Sequence, residues 1–476
     1  MAKTITIPDG LEKLGDSVEA LVGDLARNIK LATLGRMPIY GDIEDRFADR
    51  AAEIERESHR ALLQALDVDS PRVVIDGKPH RRVLREDSTY HTMAGDVVVT
   101  RSLYRECGTR GGRTVDAVSL HAGVIGDGWL PRTAQAMAHL LQQGTSREAE
   151  TTARRMKRLE YSRSSFEGVG HLTGELYVRR HAEIEDELIR AFEVPEAAHS
   201  VSVSVDRVSV PMEEPRKRPV GRPRKGAPKR PVERNFRMAW AGTVTFHDRQ
   251  GEALHTNRYG RMPQGDPAEL VGGLLGDVIV ALEQRPDLEV MALADGAHEI
   301  WNLFEETMAA YLPELKPHKI VDLWHLLEKL GAVARVLHGD AGSGEALARW
   351  RRMLLNGKAA AARILEELKR SGREDVAVGE GRPVHEAITY LTNHQDRMDY
   401  ASARQAGLPV GSGNVEATCK SLFEVRMKRP GSRWKEHTGS HVVQLRALAL
   451  SDRWDQAMHL VLEPLKKSVR PLREAA

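Results

Sequence analysis

With 476 residues, of which 29% are charged and 41% hydrophobic, the chain has room for two to four domains and the make-up of a soluble globular protein. Its net charge of +2 means that any affinity for nucleic acid must come from local patches. The two cysteines, Cys107 and Cys419, form neither a disulfide framework nor a metal-binding pair, which points to a reducing, cytoplasmic compartment. The first residues lack the basic and apolar regions of a signal peptide, and no uncharged apolar run approaches the ~18 residues of a membrane span.

Gly10 to Leu66 reads as helix, with Ile43, Phe47, Ala51, Ile54 and Leu62 as an apolar stripe suited to packing or dimerisation. From Val73 to Ala117 the period shortens, and the turns Asp76-Gly77 and Ala94-Gly95 predict short antiparallel strands. Residues 131 to 192 form a helical cluster with capping boxes at Thr145-Ser-Arg-Glu148 and Ser164-Ser-Phe-Glu167. Between the boxes lie Arg154, Arg155, Lys157 and Arg158, which fit a helix-turn-helix that reads DNA. Pro211 to Asn235 holds Arg222, Arg224 and Lys225 around a Gly221-Arg222-Pro223 centre similar to an AT-hook. Val220 stands where that motif usually has Arg, so non-specific phosphate binding is the expectation.

Beyond this loop the order is regular. Strands are predicted at Phe236–Asp248 and Leu254–Met262, then a helix at Pro267–Gln284 and a buried strand ending at Asp295. His298–Tyr311 is a helix, Lys319–His325 a strand, and Leu326–Leu337 a helix. Together with Val201–Val210 this gives three strands, then helix, strand, helix, strand, helix: the order of a ribonuclease H-like sheet. Helices at Glu345–Leu355, Ala359–Arg370 and Val384–Tyr390 make residues 338–404 an all-helical insertion. Gly407 to Lys420 then bends through three glycines into a helix capped at Ser412 or Gly413, with Val415, Cys419, Leu422 and Phe423 as its apolar stripe. A further basic stretch carries Arg426, Lys428, Arg429, Arg433 and Trp434, and Trp434 is suited to stacking on an unpaired base.

Three carboxylates fall at telling places: Asp206 inside a Val-rich strand, Asp295 at the end of a buried one, and Glu416 in the first turn of a helix. Open α/β sheets carry their chemistry at such strand edges. Crowded carboxylates stay ionised only around cations, and oxygen ligands favour Mg²⁺ or Mn²⁺. Two such ions could hold a phosphodiester for in-line displacement. Lys420, four residues after Glu416, shares its helix face and could touch the scissile strand.

The ordered set Asp206, Ala294-Asp295-Gly296, Asp322-Leu-Trp-His325, Gly411-Ser-Gly-Asn-Val-Glu416 and Val425-Arg-Met-Lys-Arg-Pro-Gly-Ser-Arg-Trp434 resembles the ISKra-type insertion-sequence DDE transposases. The likeness is strong over about residues 200 to 440 and loose before that. It implies a ribonuclease H-like α/β core with an all-helical insertion, two divalent ions held by Asp206, Asp295 and Glu416, and DNA strand cleavage followed by strand transfer. It also implies double-stranded DNA partners (the element's terminal repeats and the target), a homodimer or larger complex on paired ends, and nucleoid association when bound. Asp322 and His325 resemble a D-x-x-H element of Mutator-like enzymes, expected near the DNA rather than on metal. Relatives often carry a cysteine-rich knuckle after the N-terminal strands. Here only Cys107 is present, so no zinc site is expected. The implied domains are a helical region at 1–70, a β-rich region at 71–130 and a helix-turn-helix-like region at 131–195. The core follows at 196–337, interrupted by the 211–235 loop; then come the insertion at 338–404, the rest of the core at 405–450 and a tail at 451–476. The competing readings are a domesticated DNA-binding protein that no longer cuts, and a structure-selective nuclease.

Overall fold

A computed structural model describes residues 6–36, 38–109, 111–213, 226 and 234–472. The chain forms two compact units, residues 1–180 with 455–476, and residues 181–454.

In the first unit, the single helix expected from Gly10 to Leu66 is two, α1 (Glu12–Thr33) and α2 (Tyr40–Ala65). Gly35, at φ 68°, turns the chain left-handed, and the residue before Pro38 is disfavoured in a helix. Asp24 of α1 ties the pair together through Arg50 Nε of α2 at 3.0 Å. Next come β1 (Arg72–Ile75), β2 (Lys78–Thr92), β3 (Gly95–Glu106) and β4 (Val115–Asp116), an antiparallel sheet to which Val469–Pro471 adds an outer strand beside β1. The β1–β2 turn has positive φ at both Asp76 (50°) and Gly77 (76°), the twist that tight hairpins favour. Four helices follow: α3 (Ala117–Ala122), α4 (Pro131–Gln143), α5 (Ser146–Arg155) and α6 (Arg163–Val178). The Thr145/Glu148 capping box forms at the start of α5. The box expected at Ser164 does not. Ser162 caps α6 instead, accepting from Ser165 N at 3.2 Å, because the helix begins earlier than the Ser164 pattern implies.

The second unit opens with α7 (His181–Arg190) and is built on β5 (Ser200–Glu213), β6 (Arg234–His247), β7 (Ala253–Arg261), β8 (Glu289–Ala294) and β9 (His318–Val321). The strand order is β7-β6-β5-β8-β9. β6 runs antiparallel to both β5 and β7, while β8 is parallel to β5 and β9 to β8. Helices α8 (Pro267–Gln284) and α9 (His298–Tyr311) alternate with the parallel strands. Side chains alternate across a strand, and β5 uses both faces. Val201, Val203 and Val205 join the core with Leu270 and Leu274 of α8. Val208, Val210 and Met212 pack with Cys419, Leu422 and Phe423 on the other side.

The helical segment after β9 starts with α10 (Leu323–Asn356), whose two arms meet at Gly339 (φ 65°, ψ 177°), followed by α11 (Ala360–Arg370), α12 (Pro383–His394) and α13 (Tyr400–Gln405). Then come α14 (Gly413–Thr418), a π-helical turn Cys419–Glu424 and α15 (Glu436–Leu450). No helix among the described residues is long and apolar enough to cross a membrane.

His247, at the end of β6, is 2% exposed. Its Nε2 lies 2.8 Å from Ser202 Oγ and its Nδ1 3.2 Å from Gly251 O, partners that suit the neutral ring. Burial pushes its pKa down to about 4. The folded value lies below the unfolded one, so this stability is intact above the ordinary 6.5 and is lost as pH falls through about 4. The loss amounts to about 3 kcal/mol. Urea titrations at pH 7 and pH 4 should therefore differ less for His247→Gln than for wild type. Equal differences would show that the ring does not titrate as buried.

Candidate metal centre at the carboxyl edge of the central sheet

Strand register brings three aspartates to one level. Val203 of β5 pairs with Ala292 of β8, so Asp206 and Asp295, each three residues further on, are level. Ala294 of β8 pairs with Val321 of β9, which makes Asp295 level with Asp322. Asp295 and Asp322 stand just past the ends of β8 and β9, the edge at which such sheets host ligands, while Asp206 lies inside β5 beyond its last parallel pair with β8.

Each acid is held differently. Asp206 has an even position on β5, the parity of Val208 and Val210, so it faces the Glu416 segment. Its Oδ1 accepts from Arg207 N at 2.6 Å and its Oδ2 from Cys419 Sγ at 3.5 Å. Burial, with the charge of Asp295 adding to it, raises its pKa. Asp295 Oδ1 accepts from Ala297 N at 2.9 Å, and its carbonyl takes the Trp301 indole N–H at 2.8 Å. These bonds fix the turn into α9. Asp322 is fully buried and caps α10, accepting from His325 N at 2.8 Å and from Ser412 N. Burial opposes its charge, but hydrogen bonds from His325 and Ser412 outweigh that and hold the pKa down at about 2.

The glycine loop explains how Glu416 arrives. Leu323 N donates to Val410 O at 3.1 Å, and the Ser412 amide binds Asp322, so the loop docks on the first turn of α10. A Cβ on Gly411 would stand 2.9 Å from the Trp324 ring, which is why glycine is needed there. Ser412 is the N-cap of α14, yet its hydroxyl oxygen accepts from no backbone N–H of the first turn, and the hydroxyl donates to Glu416 Oε1 at 3.3 Å. The predicted stripe Val415, Cys419, Leu422 and Phe423 is buried. The π turn beginning at Cys419, a feature common at functional sites, carries that stripe past Asp206.

His325 lies inside this group of carboxylates. Its Nδ1 is 3.2 Å from Asp322 Oδ1 and 3.7 Å from Glu416 Oε1, without the alignment of a good hydrogen bond. Asp322 first, then the charges of Glu416 and Asp295, raise its pKa to about 9. The imidazolium thus offsets the acids. As a ligand it would have to give up that proton. One ligand atom from each of Asp322, His325 and Glu416 lies within 4.8 Å of the others, a spacing that fits one cation. Asp322 and His325, expected near the DNA rather than on metal, stand beside Glu416 in this group. The signal was present in the sequence, since Ile320-Val321-Asp322 repeats the apolar-run-then-Asp pattern of Leu293-Ala294-Asp295.

Asp206, Glu416, Lys420 and Lys428 line one open cavity of about 420 Å³. Lys420 is exposed there, and Lys428 Nζ is 2.8 Å from Glu424. Other expected DNA contacts are engaged elsewhere. Arg426 is 5% exposed and stacks on Trp434 at 4.8 Å. Trp434 exchanges backbone hydrogen bonds with Pro211 and Glu213 and donates its indole N–H to Met427 O at 3.2 Å, so it extends the β5 edge as a packing residue. Arg429 Nε donates to Val425 O at 3.1 Å, and Arg433 is 3.7 Å from Glu213. In the first unit, Lys157 pairs with Asp45 and Asp49, and Arg158 with Glu55, all on α2. These two bind the turn after α5 to α2, leaving Arg154, which pairs at 3.2 Å with Glu150, and Arg155 exposed. Arg222, Arg224 and Lys225 lie outside the described residues.

No family model matches the chain, and no curated protein matches it. Among solved structures it is similar to a chain described as "Drosophila P element transposase strand transfer complex", with a TM-score of 0.35 and 11% identity. The match covers 67% of this chain and 92% of that one. Likeness at that level assigns neither a fold nor a function.

Proposed function

We propose that the chain is a DDE transposase of the ISKra type, with a ribonuclease H-like core that cleaves and transfers DNA strands using divalent ions. The observation that carries this reading is the placing of Asp206 inside β5, Asp295 just after β8 and Asp322 just after β9 at one level of three adjacent strands, with Glu416 beside Asp322. The order β7-β6-β5-β8-β9, antiparallel on one side of β5 and parallel on the other, supports it.

The donor set fits hard cations. Asp206, Asp295 and Glu416 would supply oxygens, while the group whose ligand atoms come within 4.8 Å of one another among the described residues is Asp322, His325 and Glu416. With a ring nitrogen in reach, Mn²⁺ suits the site at least as well as Mg²⁺. When bound, two such ions would polarise the scissile phosphodiester and lower the pKa of the attacking hydroxyl or water. The protein's own part is positioning. Asp322 holds the glycine loop and with it Glu416, His325 offsets the carboxylates before metal enters, and exposed Lys420 meets a phosphate at the cavity mouth. Of Arg154, Arg155, Lys157 and Arg158, the first two are the exposed ones that would meet duplex phosphates. Action on paired DNA ends calls for two or more copies, and such a protein would be found on the nucleoid.

The test is strand cleavage of duplex DNA carrying the sequences that flank the gene, with Mg²⁺ or Mn²⁺. Asp295→Asn and Glu416→Gln should each lower the rate about a thousandfold, the several kcal/mol that metal-assisted charge stabilisation supplies. DNA binding should survive in both. Full activity in either variant would sink the assignment. If wild-type protein binds DNA but no divalent ion supports cleavage, the reading of a silent DNA-binding protein replaces it.

A further inference from the structure

We propose that the groove between the two arms of α10 receives an unpaired nucleobase of the DNA substrate, stacked on Trp324. This inference rests on the DNA reading above and assigns that substrate a second point of contact.

The arms lie side by side, and a Cβ on Gly331 would sit 3.7 Å from Leu347. Their shared face leaves a cavity of about 840 Å³, within the range of small-molecule sites and larger than one base needs. Leu327, Gly331, Leu347 and Leu355 make an apolar lining, and small Gly344 and Ala348 keep the groove open. Trp324 stands at one end. It is 53% exposed although its ring edge is fixed against Gly411, so the indole offers a rigid, open π-face. Arg351 lies over it with its guanidinium carbon 5.3 Å from the ring centroid. Indole and guanidinium planes are the surfaces on which unpaired bases stack.

Charge selects the occupant. Arg335, Arg351 and Arg352 border the groove against a single carboxylate, Glu328. An apolar slot rimmed by arginines matches a flat base carried on a phosphate chain. Position agrees as well: Trp324 falls between Asp322 and His325 in sequence, so a base held there belongs to a nucleotide close to the acidic row. The sequence-based candidate for this role, Trp434, is occupied in packing.

The experiment uses the full chain in EDTA, where metal-dependent cleavage is silent. The probes are a single-stranded oligothymidylate containing one 2-aminopurine and a blunt duplex of the same length. Wild type should bind the single strand and quench 2-aminopurine. Trp324→Ala should weaken that binding about tenfold and remove the quenching, the scale of a lost base stack, while duplex affinity stays unchanged. Trp324→Phe should keep most of both. Ala348→Leu, which narrows the groove, should reproduce the loss, and unchanged melting temperatures would confirm folding. Wild-type affinity and quenching in both Trp324→Ala and Ala348→Leu would overturn the proposal. So would displacement of the oligonucleotide by polyglutamate as readily as by unlabelled oligonucleotide, the mark of a general anion site. If wild type binds neither probe, the DNA reading itself fails. If cleavage is metal-dependent but Trp324→Ala is silent in this assay, only the groove is wrong.

Discussion

Asp206→Asn is expected to reduce metal-dependent strand cleavage about a thousandfold while raising, not lowering, the melting temperature of the metal-free protein. The two effects share one cause. Asp206 sits on the central strand of the sheet, partly buried, with Asp295 level beside it. Burial raises its pKa, and the charge of Asp295 adds to the shift. For an acid whose folded pKa is raised, the folded state is favoured while the group is protonated and loses stability as pH climbs through the folded value. Once ionised, the carboxylate therefore works against the fold, and a neutral isostere relieves it. A divalent ion reverses the balance, because whatever binds only the native state stabilises it. Added Mn²⁺ should raise the melting temperature of wild type and leave Asp206→Asn unmoved. Thermal melts with and without metal, beside cleavage rates, read both. A variant that is less stable and still cleaves would show that Asp206 is a structural residue.

Much of this site could be read from residues alone, and the part that could not has a common physical origin. The bounds of α8 and α9 follow from local chemistry: Asp266 accepts from Ala268 N with Pro267 in the first turn, and an apolar strand ends in a tight Asp295-Gly296 turn. Asp206 could be assigned to one face of β5 because side-chain parity along a strand is fixed by geometry. What could not be read depended on partners distant in sequence. Arg426-to-Trp434 reads as a basic, aromatic segment open to DNA, yet its tryptophan is bound to Pro211 and Glu213, more than two hundred positions earlier. Lys157 and Arg158 look like a recognition surface until Asp49 and Glu55 of α2 come alongside. Lys319 to His325 reads as a strand, but β9 stops at Val321 and Asp322 caps α10. Only the register of β9 against β8 shows that the same cap completes a row of acids.

The largest stability effect is expected away from the acids, at Arg453. This side chain is 7% exposed, and its two terminal nitrogens reach Asp277 Oδ1 at 2.8 Å and Tyr259 OH at 2.6 Å. Tyr259 in turn donates to Asp277 Oδ2 at 2.6 Å, and Asn257 donates to Oδ1 at 3.2 Å. Burial opposes the guanidinium charge, but Asp277 outweighs it and keeps Arg453 protonated. Arg453→Met would leave the Asp277 carboxylate, 3% exposed, without its counter-charge between α8 and β7. Breaking a buried pair from one side costs about 3–5 kcal/mol, whereas replacing both charges with well-packed apolar groups is often close to neutral. Urea denaturation should therefore show a steep loss for Arg453→Met and a substantial recovery in the double variant Arg453→Met/Asp277→Leu. The recovery is the informative half, because it separates an uncompensated charge from a simple loss of packing volume. A double variant no more stable than Arg453→Met would mean that this polar network holds β7 to α8 by shape rather than by charge.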